Sequence, residues 1–394
     1  MKKILSVNAG SSSLKFKLFE MPVETVITEG VIERIGSEEA GMTIKFNGEK
    51  VKKTLSIKDH NVAVELLISN LTDLGIIEDL NEIKGLGHRV VHGGEKFVDS
   101  AVINDRVLKD IDDLSDLAPL HNPANLTGIN AFKRLLPDVP AVAVFDTSFH
   151  QTMDEEAYMY ATPYEWYENY GVRKYGFHGT SHKYVSGRAA SILGKEDAKV
   201  IVCHLGNGAS LCAVDGGKSI DTSMGLTPLE GLVMGTRSGN IDPAVIEFIE
   251  KKENKTIKEI THDLNKKSGF LGISGISNDS RDIEEHAEKG HKRAKLAQDM
   301  FVRRICGYIA QYNLELEGAD AICFTAGIGE NSALVREEVM KRLAPLGVTI
   351  NHDANKLRGE EKLISTEESS INCYIIPTDE ELMIARDVVR LTNK

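Results

Sequence analysis

The sequence predicts an α/β fold made of two related halves, each a mixed sheet with helices packed on it. Three observations carry this. The first is the stretch Val200–Val214, VIVCHLGNGASLCAV, in which an apolar run stops at the polar, glycine-punctuated turn His204–Gly208 and a second apolar run returns. That pattern is a β-hairpin. The second is an echo near the start: Ile4–Phe19, ILSVNAGSSSLKFKLF, is an apolar strand, a small polar turn at Asn8–Ser13 and a returning strand. Two such hairpins, about half a chain apart, point to a duplicated domain. Third, the first half reads as strands in succession followed by strands alternating with helices, which gives a mixed sheet. A length of 394 residues is enough for two cores.

Both turns leave backbone N–H groups uncovered, because glycine and small polar residues put no side chain in the way. They suit an ordinary hairpin, and they equally suit phosphate oxygens. Two facing phosphate loops would place a nucleotide in the cleft between the halves. The composition, 41% hydrophobic and 27% charged, is that of a soluble globular protein. A net charge of −12 argues against non-specific nucleic-acid binding. It also requires any anionic ligand to be met by local cations, so arginines inside glycine-rich stretches carry weight. The start MKKILSV imitates a signal peptide only until Asn8, the serines, Lys15 and Lys17 interrupt it. No stretch approaches the length of a membrane span. Of the five cysteines, Cys203, Cys212, Cys323 and Cys373 lie in strand-like runs and Cys306 in a helical one, with no CxxC spacing. They read as buried reduced thiols in a cytoplasmic protein without a zinc site.

Taken in order, the runs at 14–20, 24–35, 42–46 and 51–57 read as an antiparallel meander, followed by a helix over 59–74 and a strand over 83–91. That strand ends in His88, Arg89 and His92 before Gly93–Gly94. An arginine there is either a ligand-presenting residue at a strand's carboxyl end or a surface salt bridge. Helices follow over 104–117 and 124–135, separated by the stiff loop Pro119–Pro123. The apolar strand Val139–Phe145 runs straight into Asp146. A carboxylate at that tip suits metal or acid–base work, or it caps the next helix.

Residues 151–199 hold most of the tyrosines and the chain's single tryptophan, Trp166, and read as core and interface packing. Within them Tyr175–His182, YGFHGTSH, sets His178 among glycines and hydroxyls, and the glycines argue against a helix there. After the anchor hairpin, Thr236-Arg237-Ser238-Gly239 again places an arginine between small residues. Asp242-Pro243 opens one helix, and the capping box Thr256–Glu259 opens another that Gly269 stops. Asp279-Ser280-Arg281 reads as a polar turn. A long helix over 287–316 carries the stripe Leu296, Met300, Phe301, Ile305, Tyr308, Ile309 and Tyr312, suited to core or dimer packing. The strand Ala319–Phe324 leads through Thr325–Asn331 into a helix, the general form of a mononucleotide-binding turn. The strand Asn372–Ile376 ends in Pro377–Glu381, whose acids suit a helix N-terminus or a metal.

With VNAGSSSLKF, HRVVHGG, FDTSFH, YGFHGTSH, HLGNGASL, GTRSG, GIGEN and PTDEE in one order, the chain resembles the acetate kinase family over nearly its whole length. The resemblance implies the duplicated ribonuclease-H-like, actin-like ATPase fold. It puts the boundaries at 1–150, with a helix 382–394 packing back on that domain, and at 151–381 for a nucleotide-binding and dimerising domain. It implies Asn8 and Glu380 at a Mg²⁺ (or Mn²⁺) site and Arg89 and Arg237 on the substrate carboxylate and transferring phosphoryl group. Asp146 would be the acid–base or metal-associated residue, and His178 the transition-state hydrogen-bond donor. Val91, Leu120, Phe177 and Pro228 match the pocket for the acetate methyl. His204, Leu205, Gly206, Asn207 and Gly208 would cradle phosphates, with Lys15 counted among the nucleotide contacts. Asp279, Ser280, Arg281, Gly327, Ile328, Gly329, Glu330 and Asn331 would hold adenosine. One departure is Ser280, where the family pattern has a bulkier apolar residue. The implied activity is reversible transfer from ATP to acetate, giving acetyl phosphate and ADP, by a cytoplasmic homodimer with no nucleic-acid or membrane partner. Rival readings are a propionate or butyrate kinase, a sugar kinase of the same superfamily, and an actin-like or chaperone ATPase.

Overall fold

The computed structural model describes residues 1–392. The chain divides into two compact units: Met1–Phe149 with the segment from Asp379 onward, and His150–Thr378. No described helix is long and apolar enough to cross a membrane. The described cysteines form no disulfide.

The first unit is built on eight strands: β1 (Lys2–Ala9), β2 (Ser13–Met21), β3 (Thr25–Glu33), β4 (Ser37–Phe46), β5 (Glu49–Ile57), β6 (Ile83–Val90), β7 (Ala101–Val102) and β8 (Ala141–Phe145). Their order across the sheet is β5-β4-β3-β2-β1-β6-β8-β7. β1 pairs antiparallel with β2 and parallel with β6, and β6 pairs parallel with β8. The middle of β1, Ile4–Val7, is buried on both faces, as a central strand requires. β5 lies at the edge and carries exposed lysines at 50, 52 and 53, which discourage pairing with another sheet. The helix Glu380–Thr392 packs on β6. It can do so because β6 offers glycine where it crosses: a Cβ on Gly85 would fall 2.5 Å from Val388, and one on Gly87 would drive into Ile384. Of the expected helix 382–394, positions 393–394 lie outside the described residues.

The second unit has six strands: β9 (Lys199–Leu205), β10 (Ala209–Asp215), β11 (Lys218–Thr222), β12 (Ala321–Thr325), β13 (Lys362–Leu363) and β14 (Asn372–Ile375), ordered β11-β10-β9-β12-β14-β13. β9 and β10 are buried almost throughout, hence their unbroken apolar runs. β9, β12 and β14 are parallel, while β10 and β11 run antiparallel. Both sheets thus contain one five-strand order: a three-strand antiparallel meander whose first strand continues into two parallel neighbours. That repeat is the structural form of the duplication read from the two hairpins.

Several local expectations need correction. A helix, Gly179–Leu193, does start within YGFHGTSH, because His178 takes a left-handed conformation (φ 57°) and the glycine begins the helix after it. The long helix over 287–316 is two, Ser280–Glu288 and Lys292–Glu315, broken where Gly290 takes φ 86°. Leu296 of its stripe is 51% exposed, whereas Phe301, Ile305, Ile309 and Tyr312 are core. Asp279–Arg281 is no turn: Asp279 caps the first of those helices by accepting from the Arg281 N–H. The capping-box helix ends at Lys266, before Gly269, which takes φ 61° and opens the next short helix. β6 ends at Val90, so Val91 lies just past the strand.

Candidate active site

In the first unit, three parallel strands deliver polar residues to their common carboxyl edge. Asn8 is near the end of β1, Arg89 near the end of β6, and Asp146 immediately after β8, where its N–H donates to Val90 O at 3.0 Å. Ligands of open α/β sheets bind at this edge. Arg89 grips Asp146 with both arms of its fork, Nε to Oδ1 at 2.8 Å and Nη2 to Oδ2 at 2.6 Å. Its third nitrogen, Nη1, reaches Asn8 Oδ1 at 3.4 Å. Asp146 is 1% exposed. Its charge outweighs the burial of Arg89 and raises the guanidinium's pKa.

Glu380 opens the last helix beside this pair. Burial pushes its carboxyl up to about 7, against the pull of Arg89 and with help from Asp146 and Glu381. Lys17 pairs with Asp379 at 3.2 Å and Glu381 at 3.6 Å. The two acids hold its ammonium above the ordinary lysine range despite burial. Lys15 is exposed and lies opposite Asn8 in the β1–β2 register. Val91 is buried, with its N–H on Asn125 Oδ1 at 3.1 Å, and Leu120 is 70% exposed. Asn8, Asp146 and Glu380 present oxygen donors, the kind a hard cation takes. No cluster of three or more His, Cys, Asp or Glu side chains that could hold a metal occurs among the described residues.

In the second unit, the β9–β10 turn, His178 and Arg237 converge. A Cβ on Gly208 would lie 3.4 Å from Arg237 Nη1 and 3.7 Å from the His178 ring, so the backbone passes close to both. Arg237 donates to Pro228 O at 3.2 Å, and no carboxylate pairs with it among the described residues. Burial lowers its pKa. Phe177 is buried and Pro228 half-buried. His178 stacks on His204, centroids 4.1 Å apart. The other segments expected to hold nucleotide border the same turn. Asn207 accepts from Asn278 Nδ2 at 3.2 Å, and its backbone oxygen accepts from Gly235 N at 3.0 Å. Gly235 must lack a side chain, since a Cβ would collide with Asn207 Oδ1. Gly206 approaches Ala326, the first residue of the short helix Ala326–Asn331. There Glu330 accepts from Ala326 N at 2.8 Å and Thr378 N at 3.2 Å, and Asn331 donates to Gly327 O at 2.9 Å. Ile328 is buried. Arg281 is exposed and pairs with Asp279.

Sequence reasoning did not single out several supporting residues. Asn122 and Asn125 clamp the HRVVHGG turn, through His92 N at 3.1 Å and Val91 N at 3.1 Å. Arg336, fully buried, donates to Gly329 O at 2.8 Å and holds the short helix. Ser210 bridges two histidines. The only signal for the asparagines was polarity at the start of an otherwise amphipathic helix.

The sequence model of the Acetokinase family matches residues 3–386. The acetate kinase of Bacillus subtilis (strain 168) is 61% identical over 395 aligned positions, covering 100% of both chains. The crystal structure of Porphyromonas gingivalis acetate kinase superposes with a TM-score of 0.95 at 44% identity, covering 99% of this chain and 100% of that one. A propionate kinase from Francisella tularensis subsp. tularensis SCHU S4 gives 0.95 at 45% identity, with 99% and 100% covered.

Proposed function

This chain belongs to the acetokinase family, and from that membership we propose that it transfers the γ-phosphoryl group of ATP reversibly to acetate, giving acetyl phosphate and ADP. The observation that carries the chemistry is the contrast between two arginines. Arg89 is already engaged by Asp146, while Arg237 has no carboxylate against it among the described residues and sits beside a bare glycine turn and an imidazole. A carboxylate attacking a polyphosphate is an anion approaching an anion, and arginine can neutralise and align both groups. Acetate, with a pKa of roughly 4–5 by analogy with Glu, is ionised at pH 7 and needs no general base.

In this reading Arg237 takes the transferring phosphoryl group, and His178 donates a hydrogen bond to one of its oxygens. The N–H groups of Asn207 and Gly208 would meet the phosphates as charge develops, the Gly206 N–H being spent on Gly208 O at 3.1 Å. Arg89 holds the substrate carboxylate, and Asp146 fixes the direction of that guanidinium. When bound, Mg²⁺ would be held by Asn8 and Glu380 with nucleotide oxygens and would neutralise charge on the phosphates. No group on the enzyme need carry the phosphoryl, so transfer is direct and in line. Val91, Leu120, Phe177 and Pro228 would bound the methyl, with Lys15, Asp279–Arg281 and Gly327–Asn331 toward the nucleotide. We read the first unit as the N-terminal actin-like ATPase domain and the second as the nucleotide-binding and dimerising one, in a cytoplasmic homodimer.

Phosphorus NMR tests the proposal. With ATP, Mg²⁺ and acetate the protein should generate acetyl phosphate and ADP, and with acetyl phosphate and ADP it should generate ATP. Release of inorganic phosphate alone would mark an ATPase and sink the reading.

A further inference from the structure

The second unit holds four histidines close together, and their hydrogen bonds have a direction. His178 and His182 stand one turn apart on the helix Gly179–Leu193 or at its cap. Both rings meet one hydroxyl: Ser210 Oγ lies 2.8 Å from His178 Nδ1 and 2.8 Å from His182 Nε2. Ser210 and His182 are completely buried. The other ring nitrogen of His182, Nδ1, is buried without a hydrogen-bond partner among the described residues. A neutral imidazole has one N–H, and a hydroxyl has one proton to give. The unpartnered Nδ1 is therefore the bare nitrogen, because a buried N–H with no acceptor forfeits its hydrogen bond. Burial also keeps the His182 ring neutral, well below pH 6.5. Its proton then sits on Nε2 and points at Ser210.

We propose that Ser210 is a positioning residue for the transfer: its oxygen accepts from His182 Nε2–H, and its proton goes to His178 Nδ1, leaving the His178 proton on Nε2. This rests on the reading that His178 touches the phosphoryl group, since it is the Nε2–H that would be offered there. The ring plane is set separately, by stacking on His204 at 22° between planes, and His204 Nδ1 lies 2.8 Å from Ser181 Oγ. Stacking fixes where the ring lies; the hydroxyl, by donating to Nδ1, directs the proton to the other nitrogen.

The test uses the full-length protein labelled with ¹⁵N-histidine, with the His178 resonances assigned by subtraction against His178→Gln. In the wild type, long-range ¹⁵N–¹H spectra should show His178 as the Nε2–H tautomer; an Nδ1–H tautomer overturns the proposal without any variant being made. Ser210→Ala should mix the tautomers and lower kcat roughly 10- to 100-fold, with KM for ATP and acetate within about twofold. Ser210→Thr, which keeps the hydroxyl, should restore most of the rate. A Ser210→Ala protein that loses rate with its His178 tautomer unchanged would make Ser210 merely structural and overturn the proposal. Full activity in His178→Gln would instead strike at the underlying reading, while the tautomer spectra would still decide the relay.

Discussion

Asp146 holds Arg89 by two hydrogen bonds and is almost entirely buried. Its proton has no task in a reaction whose nucleophile is already an anion. Asp146→Asn keeps the shape but removes the charge and turns an amide N–H₂ or a single carbonyl toward a guanidinium. We expect kcat to fall on the order of 10²–10³-fold at every pH from about 5.5 to 8.5, with the profile's shape retained. A pH–rate profile checks this, and recovery at high pH would mean that Asp146 acts as a base. Gly208 gives a second test at this scale. A methyl there would make ordinary contact with Arg237 and His178, at 3.4 and 3.7 Å, so Gly208→Ala should fold normally. It would occupy the face where phosphate is proposed to bind, and kcat/KM for ATP should drop about tenfold or more while the thermal midpoint stays within a few degrees. Arg89, His178 and Arg237 were legible as candidates because ionisable side chains are sparse inside glycine-rich stretches, and Asp146 because it stands at the tip of an apolar strand. Ser210 was not, because a serine inside an apolar strand looks the same whether or not two imidazoles meet it.

The helix Glu380–Thr392 reaches the first sheet only because β6 is bare at Gly85 and Gly87. In sequence these glycines resemble turn punctuation; their use depends on Ile384 and Val388 from the far end of the chain, which no local pattern reveals. Gly87→Ala would press on Ile384 and should cost about 1–3 kcal/mol by overpacking, read by urea denaturation. Since the displaced helix begins at Glu380, the Mg²⁺ concentration for half-maximal activity should rise too. Gly187 is the contrasting case, in the helix Gly179–Leu193 with open space around it. Gly187→Ala should stabilise by about 0.5–1 kcal/mol through helix propensity alone. Equal effects at both sites would contradict the packing account. The hairpins and the capping box at Thr256 were legible because their signals are local. The helix break at Gly290 and the left-handed His178 were not, because a helical stripe and a Gly-flanked histidine each fit two backbone paths.

Across the whole chain, buried histidines set the response to acid. Burial pulls His88 and His150 each down to about 4 and His182 well below 6.5. Each stays neutral in the fold but protonates near pH 6.5 when unfolded, so stability present above that pH is lost as pH falls toward 4. Glu380 opposes this: raised from 4.5 to about 7, it contributes stability below 4.5 that is lost as pH rises through 7. Glu284 and Glu315, also raised by burial, act in the same direction as Glu380, but the three histidines are completely buried and outweigh them, so the thermal midpoint of the nucleotide-free protein should fall on acidification below pH 6.5. Glu380→Gln removes its own opposing contribution and should steepen the fall between pH 7 and 4.5; calorimetry across pH checks both, and a flat wild-type profile would contradict the assignment. The central claim, that a carboxylate receives the phosphoryl group, is tested most directly by trapping the product with hydroxylamine. Formate, acetate, propionate, butyrate and a hexose would each be incubated with the protein, ATP and Mg²⁺. The account predicts acyl hydroxamate formation with acetate at the highest kcat/KM, less with longer acids, and no phosphoryl transfer to the sugar. Sugar phosphate, or ADP without any hydroxamate, would contradict it.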